Sequence, residues 1–420
     1  MSRIFNKTGI YLAANLISMG IPFALLPVLT RVLTPEDYGR IAMFGVALSF
    51  LSAFIGLSVH GVISVRYFQI EKTEFSKYVL ACVLVLMASA AIASTVMLFF
   101  GGYLSLYLEV GVWWLQLAIV TTAFAFIANI ILALWQANGS AVLFGSFQVT
   151  QSGLNLLLTF VFIFALGMKW DGRVLAQAIS AIFFGLVALI ILFINGYLTG
   201  TRLSRAVLVD TLRFGLPLMP HVLGGVALSM GDRFVVQSVL DTNSVGIYTS
   251  AAQIGLGLSV IYDAYFKSWH PEMLKMLSMK KDMSSMSLVS SVYRTIIICF
   301  CIMIIYVIVI WAIYPLLLGE AFAVGRPLMV ILAMSSFLSA CYYATSIFVF
   351  YHNRNELLSI NTFLSGGLGV LSSYYLCLHF GLVGVGVGVV LGRFTSFLFT
   401  WFCSNMVHPL PWFYFLPRKT

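Results

Sequence analysis

Charge is scarce in this sequence. Only 9% of the 420 residues are Asp, Glu, Lys or Arg, against 61% hydrophobic, and the mean hydropathy is +1.02. That leaves too little polar surface to coat a water-soluble globule. Cysteine is also sparse: Cys82, Cys299, Cys301, Cys341, Cys377 and Cys403 all fall in apolar runs. Cys299 and Cys301 are two apart, so on a helix they face different ways and cannot share a metal. Packing is the role that suits these thiols. The six histidines show no HxxxH spacing, and DxD, P-loop and GxSxG motifs are missing. Neither sugar-nucleotide transfer nor ATP hydrolysis has visible machinery, and nothing calls for a cofactor. No loop is long enough to hold a catalytic domain.

Long apolar runs are abundant. About twelve could each cross a ~30 Å hydrocarbon core: 9–30, 40–62, 78–100, 112–134, 147–167, 174–195, 214–238, 244–266, 291–314, 327–350, 357–379 and 381–403. The first follows Arg3 and Lys7 but is too long for a signal h-region and lacks a small-residue cleavage site, so it is expected to stay as a span. The strict alternation of a barrel strand is absent, which makes the spans helices. The expected fold is an all-α membrane protein.

The net charge of +9 is distributed by topology. With the N-terminus inside, 16 of the 23 Lys and Arg lie on inward ends and loops, and Arg31, Arg40, Lys169, Arg173, Arg233 and Arg326 lie on or near outer ends. That bias puts both termini in the cytoplasm and argues against nucleic acid as a partner. The longest polar segment, "SWHPEMLKMLSMKKDMSSMS" (268–287), is basic and suits an amphipathic helix on the cytoplasmic leaflet.

Laying the second half on the first at an offset of 207 pairs Val32-Leu33 with Val239-Leu240, Gly39 with Gly246 and Leu51-Ser52 with Leu258-Ser259. Two pseudo-symmetric six-helix bundles around a central cavity are expected, at 1–196 and 214–420, with a cytoplasmic linker at 197–213. Such an arrangement suits alternating access. Prolines 22 and 27 in the first span, and 217 and 220 in the seventh, predict kinks.

Four motifs carry a resemblance. "LPVLTRVLTPEDYGRIAMF" (26–44), "WDGRVLAQAISAIFFG" (170–185), "GDRFVVQSVLDTNSVGIYTSAAQI" (231–254) and "SWHPEML" (268–274) together resemble the Wzx-type lipid-linked oligosaccharide flippases, the polysaccharide transporter branch of the MOP superfamily. The resemblance implies a protein of the bacterial inner membrane that is not an enzyme. Its substrate would be an undecaprenyl-pyrophosphate-linked repeat unit of O-antigen or capsule, turned to the periplasmic leaflet with ion-gradient coupling. Membrane lipids, and polymerase and chain-length proteins of the same pathway, are the candidate partners. A multidrug or small-cation exporter of the same superfamily is the alternative. An integral-membrane polymerase or ligase fits less well, since no sizeable outer loop exists.

Charges inside spans are the candidate site residues, because they are expensive there without a partner or a polar cavity. Asp232 and Arg233 are adjacent, diverge by about 100° on a helix, and each calls for a partner elsewhere. An interhelical ion pair, a cavity lining and, for Asp232, ion coupling all remain open. Arg393 lies near the middle of the last span beside Gly384, Gly388 and Gly392, a stripe that admits a close neighbour. Arg393 could line a cavity and contact the head group, or pair with a counter-ion such as Asp232. Asp263 and Lys267 have the i,i+4 spacing of a local ion pair, with ion coupling as the other role for Asp263 and diphosphate contact for Lys267. His60 falls at the position of Lys267 under the offset. Arg66 is a further cavity candidate or an inside anchor of its helix, and Arg31, which matches the resemblance's signature arginine, a gate or cap.

Overall fold

Backbone N–H and C=O groups cannot stay unpaired in hydrocarbon, and the apolar runs meet that demand as helices. The computed structural model describes residues 2–198, 204–278 and 285–412, and among these no strand occurs. The helices are α1 (Ser2–Val32), α2 (Pro35–Phe54), α3 (Gly61–Arg66), α4 (Lys72–Leu108), α5 (Val112–Ala137), α6 (Ala141–Phe160), α7 (Trp170–Ile194), α8 (Arg205–Gly215), α9 (Met219–Val239), α10 (Thr242–Ser278), α11 (Ser285–Leu317), α12 (Arg326–Tyr351) and α13 (Asn355–Val407). Among the described residues, ten helical segments are long and apolar enough to cross a membrane. The chain is a multi-pass membrane protein.

The last segment supplies two crossings. α13 turns back at Gly381, whose φ of 57° and ψ of −139° fall outside what a side chain tolerates. Its two legs then pack closely along the glycine stripe expected from the sequence. A Cβ on Gly388 would lie 2.3 Å from the Ser373 N, and one on Gly392 would lie 2.8 Å from the Gly369 Cα. The run expected at 40–62 is different. α2 stops at Phe54 and α3 starts at Gly61, with Gly56, Leu57 and Ser58 all at positive φ between them.

Two compact units divide the chain, Met1–Val226 and Ala227–Thr420. In the first, α5 packs against α2, α4 and α7, and α1 packs against α6. In the second, α12 packs against α10, α11 and α13. Lipid is as apolar as these helices, so contact geometry and hydrogen bonds hold them together rather than expulsion from water. Tyrosines do much of the linking: the Tyr262 hydroxyl donates to Cys299 O at 2.7 Å and the Tyr306 hydroxyl to Ile254 O at 2.6 Å. The six cysteines are free thiols, and all but Cys301 are buried.

Helix boundaries repeat at the 207 offset: α1 ends at Val32 and α9 at Val239, while α2 begins at Pro35 and α10 at Thr242. The α2 start is capped reciprocally. Thr34 Oγ1 accepts from Asp37 N at 3.2 Å, and Asp37 Oδ2 accepts from Thr34 N at 3.3 Å. At the matching place Asp241 Oδ1 accepts from Ser244 N at 2.6 Å.

The stretch read as a linker holds α8, which packs on α3 and α4 within the first unit. Positions 199–203 of that stretch lie outside the described residues, as do 279–284 of the basic segment and 413–420 at the C-terminus. Pro217 sits in a short 3-10 turn, Leu216–Leu218, between α8 and α9. The chain stays helical through Pro22 and Pro27.

Candidate functional site

Arg233 folds back on its own helix. Its Nη1 donates to Asp232 Oδ1 at 3.0 Å and to Ser229 O, one turn earlier, at 2.8 Å. The expectation that the neighbours could not meet is thereby corrected: Cβ directions diverge, but a guanidinium on a long stem can curl toward the helix N-terminus. Asp232 does reach a second helix, since its Oδ2 accepts from the Tyr248 hydroxyl of α10 at 2.7 Å. The Arg233 N–H adds a further bond to Oδ1 at 2.8 Å. Only 8% of the Asp232 side chain and 11% of the Arg233 side chain is exposed, so each charge depends on the other. This group is a clamp between α9 and α10.

Arg393 lies on the second leg of α13 beside the stripe. It borders two small cavities of about 30 and about 120 Å³. The larger also presents Ser339, Tyr342, Thr362, Ser365 and Ser396. Asp232 borders the smaller cavity, but the two groups form no ion pair within 4.0 Å, and the Asp232 oxygens are already engaged. Among the described residues Arg393 has no hydrogen-bonded or ion-paired partner. The Ser396 and Thr400 hydroxyls, further along the same leg, accept from Asn361 Nδ2 at 3.0 and 2.8 Å. Sequence reading passed over Asn361, although a buried amide in an apolar span is itself a signal.

The other candidates separate. Asp263 and Lys267 share a face of α10, yet no ion pair joins them, and Lys267 is exposed. His60 stands at the start of α3 with its ring edge-on to Phe126 at 5.3 Å, and its Nδ1 is buried without a partner. Arg66 is held: its Nη2 donates to Asp210 Oδ2 of α8 at 2.7 Å, and the Tyr78 hydroxyl meets the same oxygen at 2.7 Å. Arg31 is exposed at the end of α1 and donates to Pro27 O at 2.9 Å. In the first unit an apolar cavity of about 760 Å³ lies among α2, α4 and α8. A polar one of about 430 Å³ lies among α2, α5, α6 and α7. The amides in the polar cavity were not singled out from the sequence. Their i,i+4 spacing at Gln151 and Asn155 within an apolar run is the signal that could have found them.

No group of three or more His, Cys, Asp or Glu side chains that could hold a metal occurs among the described residues. The cavities offer hydroxyls and amides for recognition, with the Arg393 guanidinium at the two small ones.

Residues 4–277 match the family described as "Polysaccharide biosynthesis protein". The chain belongs to that family. All four motifs lie within the matched stretch. A relative is protein 1 of the Lsg locus of Haemophilus influenzae, 26% identical over 86% of this chain and 88% of its own. Among solved structures, an inward-facing multidrug resistance MATE family transporter of the MOP superfamily matches with TM-score 0.73 and 21% identity over 94% of both chains. The lipid II flippase MurJ in an inward closed conformation matches with TM-score 0.74 and 12% identity, over 94% of this chain and 87% of that one. At these identities the two structures establish a shared fold.

Proposed function

We propose that this protein is a flippase for an undecaprenyl-pyrophosphate-linked oligosaccharide repeat unit, moving it from the cytoplasmic to the periplasmic leaflet of a bacterial inner membrane by alternating access. The observation that carries the reading is Arg393, a mid-membrane guanidinium with no acidic partner, set among hydroxyls. Such a group attracts an anionic head group, and its planar fork suits two phosphate oxygens at once. A cation exporter would place an unpaired carboxylate there. Membership of the polysaccharide biosynthesis family supports the glycan as cargo, while the lipid tail stays in the bilayer.

Deleting the gene should leave lipid-linked repeat units on the cytoplasmic leaflet while their synthesis continues. Normal surface glycan in the deletion strain, with drug sensitivity in its place, would replace the flippase by an exporter. Arg393→Lys should keep part of the flipping and Arg393→Ala lose nearly all of it, at unchanged membrane abundance. Wild-type surface glycan in Arg393→Ala would remove the guanidinium from the site.

Ion coupling is assigned to Asp263, which has no ion pair, rather than to the clamped Asp232. Asp263→Asn should abolish dependence on the proton or sodium gradient and leave protein level intact. For orientation, reporter fusions at residues 200, 280 and 420 should read cytoplasmic and one at Glu109 periplasmic. A periplasmic signal at 280 would reverse the assignment.

A further inference from the structure

The first unit holds a polar cavity in which no charged side chain takes part. Its volume of about 430 Å³ falls within the ~300–1,000 Å³ of small-molecule sites. Gln151 and Asn155 on α6 lie ten residues from Ala141 and Ala165 respectively, which puts both about 15 Å from the nearer end of this span. Polar groups at that depth are expensive unless something pairs with them.

Five of the six hydroxyls lining this cavity have their protons committed, Ser152 being the exception among the described residues. Ser49, Ser52, Thr121, Thr122 and Ser180 donate to the backbone carbonyls of Gly45, Ser49, Leu117, Ala118 and Gln151 at 2.9, 2.7, 2.7, 2.8 and 2.9 Å. A hydroxyl has one proton and two lone pairs, so what remains toward the cavity is acceptor capacity. The donors come from Ser152 and from amides. Among the described residues the side chains of Gln151 and Gln177 have no hydrogen-bond partner, and Asn155 keeps its NH₂ because only its Oδ1 is used, by Arg173 Nη1 at 2.6 Å. That bond joins the amide to Arg173, whose own side chain does not line the cavity.

With no carboxylate and no cation in its lining, the cavity offers little to an organic cation or a phosphate. It suits a neutral polyol whose hydroxyls both donate and accept. We propose that it is a saccharide site, occupied by sugar rings of the cargo, separate from the Arg393 contact in the second unit. The proposal rests on the flippase reading above.

The test replaces the two unpartnered amides by side chains of equal length, Gln151→Met with Gln177→Met, in the deletion strain complemented from a plasmid. Removing unpaired polar groups from a membrane interior leaves the fold intact, so membrane abundance should stay at or above that of the wild type. Surface glycan should fall about tenfold or more, the scale of losing a few neutral hydrogen bonds. Wild-type glycan in the double variant would overturn the saccharide site and leave the flippase reading standing. Abundance and glycan falling in proportion would also overturn it, since the amides would then be structural. If the wild-type gene itself fails to restore glycan, the flippase reading fails, and the saccharide site with it.

Discussion

α2 with α3 in the first unit and α10 in the second begin at equivalent places, behind equivalent caps, and then part company. α10 runs unbroken from Thr242 to Ser278. Its counterpart breaks after Phe54, with φ of 77°, 47° and 57° at Gly56, Leu57 and Ser58. Left-handed backbone costs roughly 1–2 kcal/mol for each non-glycine residue. Around the break the polar backbone is satisfied: Gly56 N donates to Ser89 Oγ of α4 at 2.8 Å, and Val59 O accepts from the Cys82 thiol at 3.5 Å. Irregular backbone at membrane depth persists only when it is enclosed in this way. Two halves built on one template thus agree at helix boundaries and differ mid-span. The positions of Asp263 and Lys267 on an unbroken helix correspond to Gly56 and His60 at the break and its end.

The polar clamp marks a second difference. Under the 207 offset Asp232, Arg233 and Tyr248 correspond to Leu25, Leu26 and Ile41. Asp232→Ala should have the largest effect, a loss of about 3–5 kcal/mol, because it strands a buried guanidinium. The triple replacement Asp232→Leu, Arg233→Leu and Tyr248→Ile, copying the first unit, should be close to neutral. Thermal unfolding of the purified protein, followed by size-exclusion fluorescence, measures both. A triple variant as unstable as Asp232→Ala would mean that the two units do not share a packing template at α9 and α10.

The break invites smaller changes. Gly56→Ala should destabilise by about 1–3 kcal/mol, since its Cβ would lie 2.2 Å from the Phe126 ring. Adding glycine should have opposite signs in the two units. Ser58→Gly relieves a left-handed residue and should gain about 1 kcal/mol, whereas Ala264→Gly, in the continuous helix, should lose about 1 kcal/mol. Equal signs would erase the contrast between broken and unbroken helices.

The smallest effect concerns the ends of α5 and α12. Both close with the same bonds: Ser140 N donates to Trp135 O at 2.8 Å, and Arg354 N donates to Val349 O at 3.2 Å. The left-handed residue is Gly139 in one and Asn353 in the other. Where α5 has Asn138, α12 has His352, whose Nε2 lies 3.1 Å from His408 Nδ1. Burial, and then the neighbouring His352, hold His408 below the ordinary imidazole value. The fold therefore prefers neutral His408. That contribution is full above about pH 6.5, the ordinary value, and is lost as pH falls through the lower folded value. His352→Gln should flatten the dependence of melting temperature on pH below about 6.5. An unchanged slope would disconnect the pair from stability.

Much of the fold was legible because it rests on periodicity and punctuation. The apolar runs gave the crossings, and the glycines at 384, 388 and 392 announced a close neighbour, which proved to be the preceding leg of the same hairpin. The break at 56–58 was not legible: one glycine in an apolar run reads as a tolerated helix residue, and the enclosure by Phe126 and Ser89 is tertiary. Site chemistry was half legible. Position within the apolar run singled out Arg393 but left cavity lining and a pair with Asp232 both open, and no such pair forms within 4.0 Å. Adjacency misled at Asp232-Arg233, because a long side chain can return to its neighbour. Arg66 gave no hint of Asp210, which lies 144 positions away.

The hairpin of α13 also governs how this part of the chain enters the bilayer during synthesis. Its first leg carries Asn361, 1% exposed in the finished fold, whose NH₂ bonds only to the second leg. While the first leg is alone beside the translocation machinery, that amide has no partner in lipid. The contacts nearest the turn, Gly384 against Leu376 and then Gly388 against Ser373, form earliest as the second leg emerges. Pairing advances from there toward Gly392 and Gly369, and reaches Asn361 last, once Thr400 has been made. A hairpin whose two legs leave for the membrane together spares that amide any stage without a partner.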